Sequence, residues 1–171
     1  MNLSRRRLLS STIRLAPLAT LAACLPAWPV AAHAQAKSRP VLTVQSGDRP
    51  GVDFDMPALQ ALPQHQFRTS TPWYPQPVSF SGPLLRDVLA SAGARGTTVR
   101  AVALNDYKVE LPMSDIDRFD VIVALLLDGK PMPVRERGPL FIVYPFDTSV
   151  ELRSEKYYSR SAWQLRRIEV H

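Results

Sequence analysis

Cysteine is nearly absent. The 171-residue chain has one, Cys24, inside an apolar opening segment, and none after it. Everything beyond that segment therefore lacks a thiol for a disulfide, a nucleophile or a soft metal ligand. Histidine is scarce as well: His33, His65 and His171. Zinc-ligand spacing and a Cys–His pair are excluded. A Ser–His–Asp triad would have only a lone or a terminal histidine to draw on. Acidic residues are missing from the first 34 positions, and no basic stripe follows them. The remaining Lys and Arg are scattered, which argues against a nucleic-acid partner.

What stands in the opening segment is a recognisable pattern. Arg5, Arg6, Arg7 and Arg14 precede the apolar run "LAPLATLAACLPAWPVAA" and the stretch "AHAQA". A basic start, an apolar middle and a small-residue Ala-His-Ala site describe an export signal cut after Ala34. Pro17, Pro26 and Pro29 interrupt the run, so a retained membrane helix is not expected. "SRRRLL" resembles a twin-arginine export motif, and an ordinary secretory signal is the alternative reading. "LAAC" offers a second processing option, a lipoprotein acylated at Cys24. Both routes lead to a periplasmic or secreted protein. Without the four arginines, residues 35–171 carry 17 basic and 15 acidic groups, net +2, against +6 for the whole chain.

Residues 35–171 read as one α+β domain. "VLTVQS" (41–46) is a strand, and "DMPALQAL" (55–62) is a short helix capped by Asp55 with Pro57 in its first turn. "HQFRTS" (65–70) and "PVSFSG" (77–82) are further strands. In "GPLLRDVLASAG" (82–93), Leu84, Leu85, Val88 and Leu89 form a helical stripe that Gly93 ends. "TTVRAVALN" and "YKVELP" predict a hairpin around Asn105-Asp106. Ser114 is expected to cap the helical turn "SDIDRF". "DVIVALLLDG" (120–129) is apolar enough for one strand buried on both faces, and "GPLFIVYP" (138–145) for another. "SAWQLRRIEV" (161–170) alternates imperfectly, as an edge strand with a bulge does. The 16 prolines fall mostly between elements and stiffen the loops. The sum is an irregular mixed β-sheet with a few short helices.

The order of "FRTSTPWYPQPVSFSGPLLRDVL", "AVALNDYKVELPMSD", "VIVALLLDGKPMP", "GPLFIVYP" and "SAWQLRRIEV" resembles the molybdopterin-binding domain of the sulfite oxidase family. The resemblance implies that fold over nearly all of residues 41–170. It also implies a pterin dithiolene holding molybdenum, with a protein cysteine as a further sulfur ligand. Three positions depart from that pattern. Where the cysteine is expected, the chain has Arg68, Thr69, Ser70 and Thr71, whose hydroxyls do not replace a thiolate. Where the family tends to carry an anion-binding arginine, it has Leu140 and Phe141, with Arg135 and Arg137 just upstream. Where a Lys-Trp pair is usual, Ala162 precedes Trp163.

These departures point to a domain that keeps the cleft and has lost the molybdenum chemistry. The expected role is a metal-free, exported ligand-binding or sensory accessory protein, with no cofactor. A molybdopterin-dependent oxidoreductase, or a subunit of one, is the alternative. The proline-rich "STPWYPQP" makes a stiff loop, and the resemblance sets it opposite Asn105, Asp106 and Tyr107. The expected binding site is Arg68, Thr69, Trp73, Asp106 and Tyr107, with no nucleophile or redox group in it. A small anionic or planar ligand suits that set. A membrane sensor or a redox protein is the expected macromolecular partner.

Overall fold

The structure is a computed structural model that describes residues 38–171. The export signal, its cut after Ala34 and the Cys24 alternative lie outside the described residues. The first hairpin joins β1 (Leu42–Ser46) to β2 (Val52–Phe54). Helix α1 (Met56–Ala61) follows. The Asp55 carboxylate caps it by accepting the Ala58 N–H at 2.8 Å. The Ser38 hydroxyl, and then that N–H, hold the Asp55 carboxyl below its usual range.

Strands β3 (Gln64–Thr71) and β4 (Tyr74–Pro83) form a long hairpin with Pro72 and Trp73 at its tip. The chain then enters α2 (Leu85–Ser91), whose Leu85, Val88 and Leu89 are buried as the stripe requires. Gly93 takes φ +62 just beyond it, a conformation that glycine adopts without strain. Strands β5 (Thr98–Ala103) and β6 (Lys108–Pro112) make the second hairpin. Helix α3 (Met113–Arg118) has Pro112 at its N-cap position, so Ser114 lies inside it and does not cap it.

The apolar run 120–129 is not one strand. It divides into β7 (Ile122–Ala124) and β8 (Leu126–Leu127), which belong to different sheets. The chain crosses between them at Leu125, whose N–H donates to the Ser81 carbonyl at 2.8 Å. Gly82 permits this approach: a Cβ there would lie 2.0 Å from the Val123 carbonyl oxygen. Both segments are apolar because both pack on the core, so hydrophobicity alone does not reveal the break. Asp128 and Gly129 turn the chain at φ 46° and 74° into β9 (Lys130–Pro131). From "GPLFIVYP" only Phe141–Val143 forms a strand, β10, paired with β7.

Short 3-10 turns at Phe146–Thr148 and Val150–Leu152 and the one-turn helix α4 (Glu155–Tyr158) lead to the last strand, β11 (Leu165–Val170). This strand is central rather than an edge. It lies between β1, to which it runs parallel, and β5, in the five-stranded sheet β2-β1-β11-β5-β6. The expected bulge is present between Leu165 and Arg167. The strand reads as an edge because its outer face is charged: Glu169 pairs there with Arg100 and Arg167. A four-stranded sheet, β3-β4-β8-β9, and the pair β10-β7 complete the domain around Phe80, Phe141, Tyr144, Phe146 and Tyr157. No helix among the described residues is long and apolar enough to cross a membrane.

Candidate functional site

Two hairpin tips and α4 converge on one cleft of about 510 Å³. The β3–β4 tip contributes Pro72 and Trp73. The β5–β6 tip contributes Asn105 and Tyr107. The segment through α4 to the start of β11 contributes Glu155, Tyr158, Ser159, Ser161 and Trp163. Each tip is fixed locally. Thr71 Oγ1 accepts the Trp73 N–H at 3.3 Å, and Asn105 Oδ1 accepts the Tyr107 N–H at 3.2 Å. Asp106 takes φ 63°, which short polar side chains tolerate in a turn.

Trp73 is the centre of an aromatic cluster. Its ring meets Phe141 at 5.3 Å, Trp163 at 5.7 Å, Phe146 at 6.0 Å and Tyr158 at 6.2 Å between centroids. The planes of Trp163 and Tyr158 stand at 74° and 78° to it, in the edge-to-face geometry aromatic quadrupoles favour. One side of the indole is thus core and another is cleft wall. Tyr107 and Trp163 are 53% and 38% exposed, high values for large apolar side chains.

Of the five residues the sequence nominates, Trp73 and Tyr107 line this cleft together. Thr69 is fully buried behind it. Its Oγ1 accepts the Asp147 N–H at 3.1 Å and donates to the Ser70 carbonyl at 3.4 Å. Asp106 is turned to the Arg166 guanidinium, with which it forms an ion pair. Arg68 is exposed on β3 opposite Ser79 and does not line the cleft. A second, more polar cleft of about 530 Å³ adjoins the first and shares Pro72 and Tyr158 with it. Ser70, Thr71, Asp147 and Arg153 line it. Sequence reasoning left out Glu155, Tyr158 and Trp163. The cluster "EKYYSRSAW" carries the signal that would have found them.

The other departures also have definite places. Leu140, Phe141 and Ala162 are core residues. Arg137 lies with its guanidinium 4.9 Å from the Tyr74 ring centroid and 5.7 Å from that of Trp163. Beneath α4, Asp115 is buried and accepts from the Tyr144 hydroxyl at 3.1 Å and from Arg160 at 2.5 Å. Burial, and then the Asp115 charge, push the Tyr144 phenol far above its ordinary range. Tyr157 donates to Glu151 at 2.5 Å. That bond lowers the Glu151 carboxyl and raises the Tyr157 phenol.

The model of the oxidoreductase molybdopterin-binding domain matches residues 36–160. The chain belongs to that family. Among solved structures it is similar to the sulfane dehydrogenase SoxCD from Paracoccus pantotrophus, at 18% identity and a TM-score of 0.59. The match covers 76% of this chain and 37% of that one, so the domain spans little more than a third of that chain's length. At this identity the likeness establishes the fold. No curated protein sequence matches the chain.

The residues present do not fit a molybdenum centre completed by a protein thiolate. The described chain contains no cysteine. Of the hydroxyls in the stretch where the cysteine is expected, Thr69 Oγ1 is buried and committed to the backbone of Ser70 and Asp147. Among the described residues, the sole charged group lining the aromatic cleft is Glu155, so this lining offers no cation to a pterin phosphate.

Proposed function

We propose that this domain of the molybdopterin-binding family binds a small molecule that packs a planar or apolar group against the rings of the aromatic cleft, without molybdenum chemistry, as an exported accessory or sensory protein. One observation carries the reading. A cleft of about 510 Å³ places Trp73, Tyr107, Tyr158 and Trp163 around one space and includes no thiol or imidazole among the described residues that line it. Its size and lining are those of a small-molecule site. Binding energy there comes from apolar contact with rings that are already positioned, so little ordering is needed on association. The anionic alternative drew on Arg68, which stands outside the cleft wall. The export part of the proposal draws on the basic and apolar opening of the sequence.

The test is a thermal-shift screen of small aromatic and heteroaromatic compounds, repeated on Tyr107→Ala and Trp163→Ala. Each substitution should weaken binding by roughly 1–3 kcal/mol, while Arg68→Ala leaves it unchanged. If hits bind all three variants as they bind wild type, the site lies elsewhere.

Family membership favours a second reading, a molybdopterin oxidoreductase whose missing ligands come from a partner subunit. Co-purification of pterin and molybdenum with a complex, and their absence from the isolated chain, would support it over the first.

A further inference from the structure

We propose that the aromatic cleft selects a cationic ligand of the methylated-ammonium class. The proposal rests on the reading of this cleft as a small-ligand site. Three observations lead to it.

The first is electrostatic. Glu155 is the one charged group among the described residues of the cleft lining, and it is exposed. Among the described residues, no ion pair uses its carboxylate; Asp106, Asp115, Asp147 and Glu151 are each engaged by an arginine. The cleft therefore offers one uncommitted negative charge.

The second is the arrangement of rings. Trp163 and Tyr158 stand nearly perpendicular to Trp73, at 74° and 78°, so the three meet as walls of a corner. Tyr107 closes the lining from the other hairpin. An aromatic face is negative, and a cation within about 6 Å of a ring centroid is attracted by about 0.5–2 kcal/mol. The same cluster already holds one: the Arg137 guanidinium lies over Tyr74 and Trp163, outside the cleft lining.

The third is the apolar character of the wall. Pro72, Ala103 and four aromatic residues are six of the ten described residues that line the cleft. A primary ammonium or guanidinium turned against those rings would have to leave water with some of its N–H donors unpaired, which is unfavourable. A methylated ammonium keeps the charge, presents only methyl groups and packs against rings.

The experiment is a titration followed by tryptophan fluorescence and calorimetry. The probes are choline, tetramethylammonium and 3,3-dimethyl-1-butanol, the uncharged carbon analogue of choline. Saturable binding of both cations is expected, with the uncharged analogue weaker by about tenfold, the difference a cation–π and charge contribution of ordinary size produces. Glu155→Gln should weaken the cations severalfold and leave the analogue unchanged, while Trp163→Ala weakens all three. Circular dichroism confirms that both variants fold. Equal affinity for choline and its analogue, unaltered in Glu155→Gln, overturns charge selection and leaves the small-ligand reading standing. Absence of saturable binding by either cation at millimolar concentration also overturns the proposal. Failure of the aromatic-compound screen as well would remove the parent reading.

Discussion

Replacing Trp73 by alanine separates its two roles, wall of the cleft and member of the core. The indole contacts four other rings, two of which, Phe141 and Phe146, are fully buried. Truncating a fully buried tryptophan removes roughly 3–5 kcal/mol. Trp73 is only partly buried, which lowers the figure, but each aromatic pair adds about 0.5–1.5 kcal/mol beyond area. A loss of about 3 kcal/mol results, a large fraction of the ~5–15 kcal/mol that holds an ordinary domain. With a urea slope of about 1–3 kcal/mol/M, the midpoint should fall by ~1–3 M. Tyr107→Ala is the control. Its ring is half exposed and joins no aromatic pair among the described residues, so its effect on stability should stay within about 0.5 kcal/mol. Urea unfolding followed by far-ultraviolet circular dichroism compares the two. A Trp73→Ala loss below about 1 kcal/mol would refute the reasoning, because the indole would then contribute only a surface.

Three further perturbations test the frame around the site. Arg160→Met leaves the buried Asp115 carboxylate without its cation, and breaking such a pair costs about 3–5 kcal/mol; a urea midpoint equal to wild type contradicts that. Gly82→Ala forces a Cβ against the Val123 carbonyl and should cost about 3 kcal/mol, read as a lower thermal midpoint. The Glu151 carboxyl is held below its ordinary 4.5, first by the Tyr157 hydroxyl and then by Arg118, so the stability it adds is complete above that value and fades as pH falls through the lower folded one. Urea midpoints of wild type and Glu151→Gln should therefore differ at neutral pH and converge in acid. A gap that persists unchanged in acid goes against this.

Much of the fold is legible in the residues because local signals and tertiary packing agree there. The Asp55 cap, the α2 stripe ended by Gly93, the Asn105-Asp106 hairpin and the Asp128-Gly129 turn all stand where their chemistry sets them. The failures share a cause. Whether 120–129 is one strand or two depends on where Gly82 lets a distant segment pass close to it, and whether 161–170 is central or edge depends on partners far away in sequence. Neither is written in periodicity. The site divides in the same way. Trp73 and Tyr107 advertise themselves at proline-rich and turn positions. Tyr158 and Trp163 join them only because α4 and the start of β11 return to the two hairpin tips. Arg68 looked functional as a cation near a stiff loop, yet strand alternation sends Thr69 into the core and leaves its neighbour on the surface.

The central claim, a molybdopterin-family domain that works through its aromatic cleft and not through molybdenum, meets its most direct test in metal content. Protein purified from a host that makes the molybdenum cofactor would be measured for molybdenum per chain by inductively coupled plasma mass spectrometry. The account predicts a ratio far below one, unchanged in Thr69→Cys because the cleft would still lack the cations for the pterin phosphate. Stoichiometric molybdenum in the wild-type chain would contradict it.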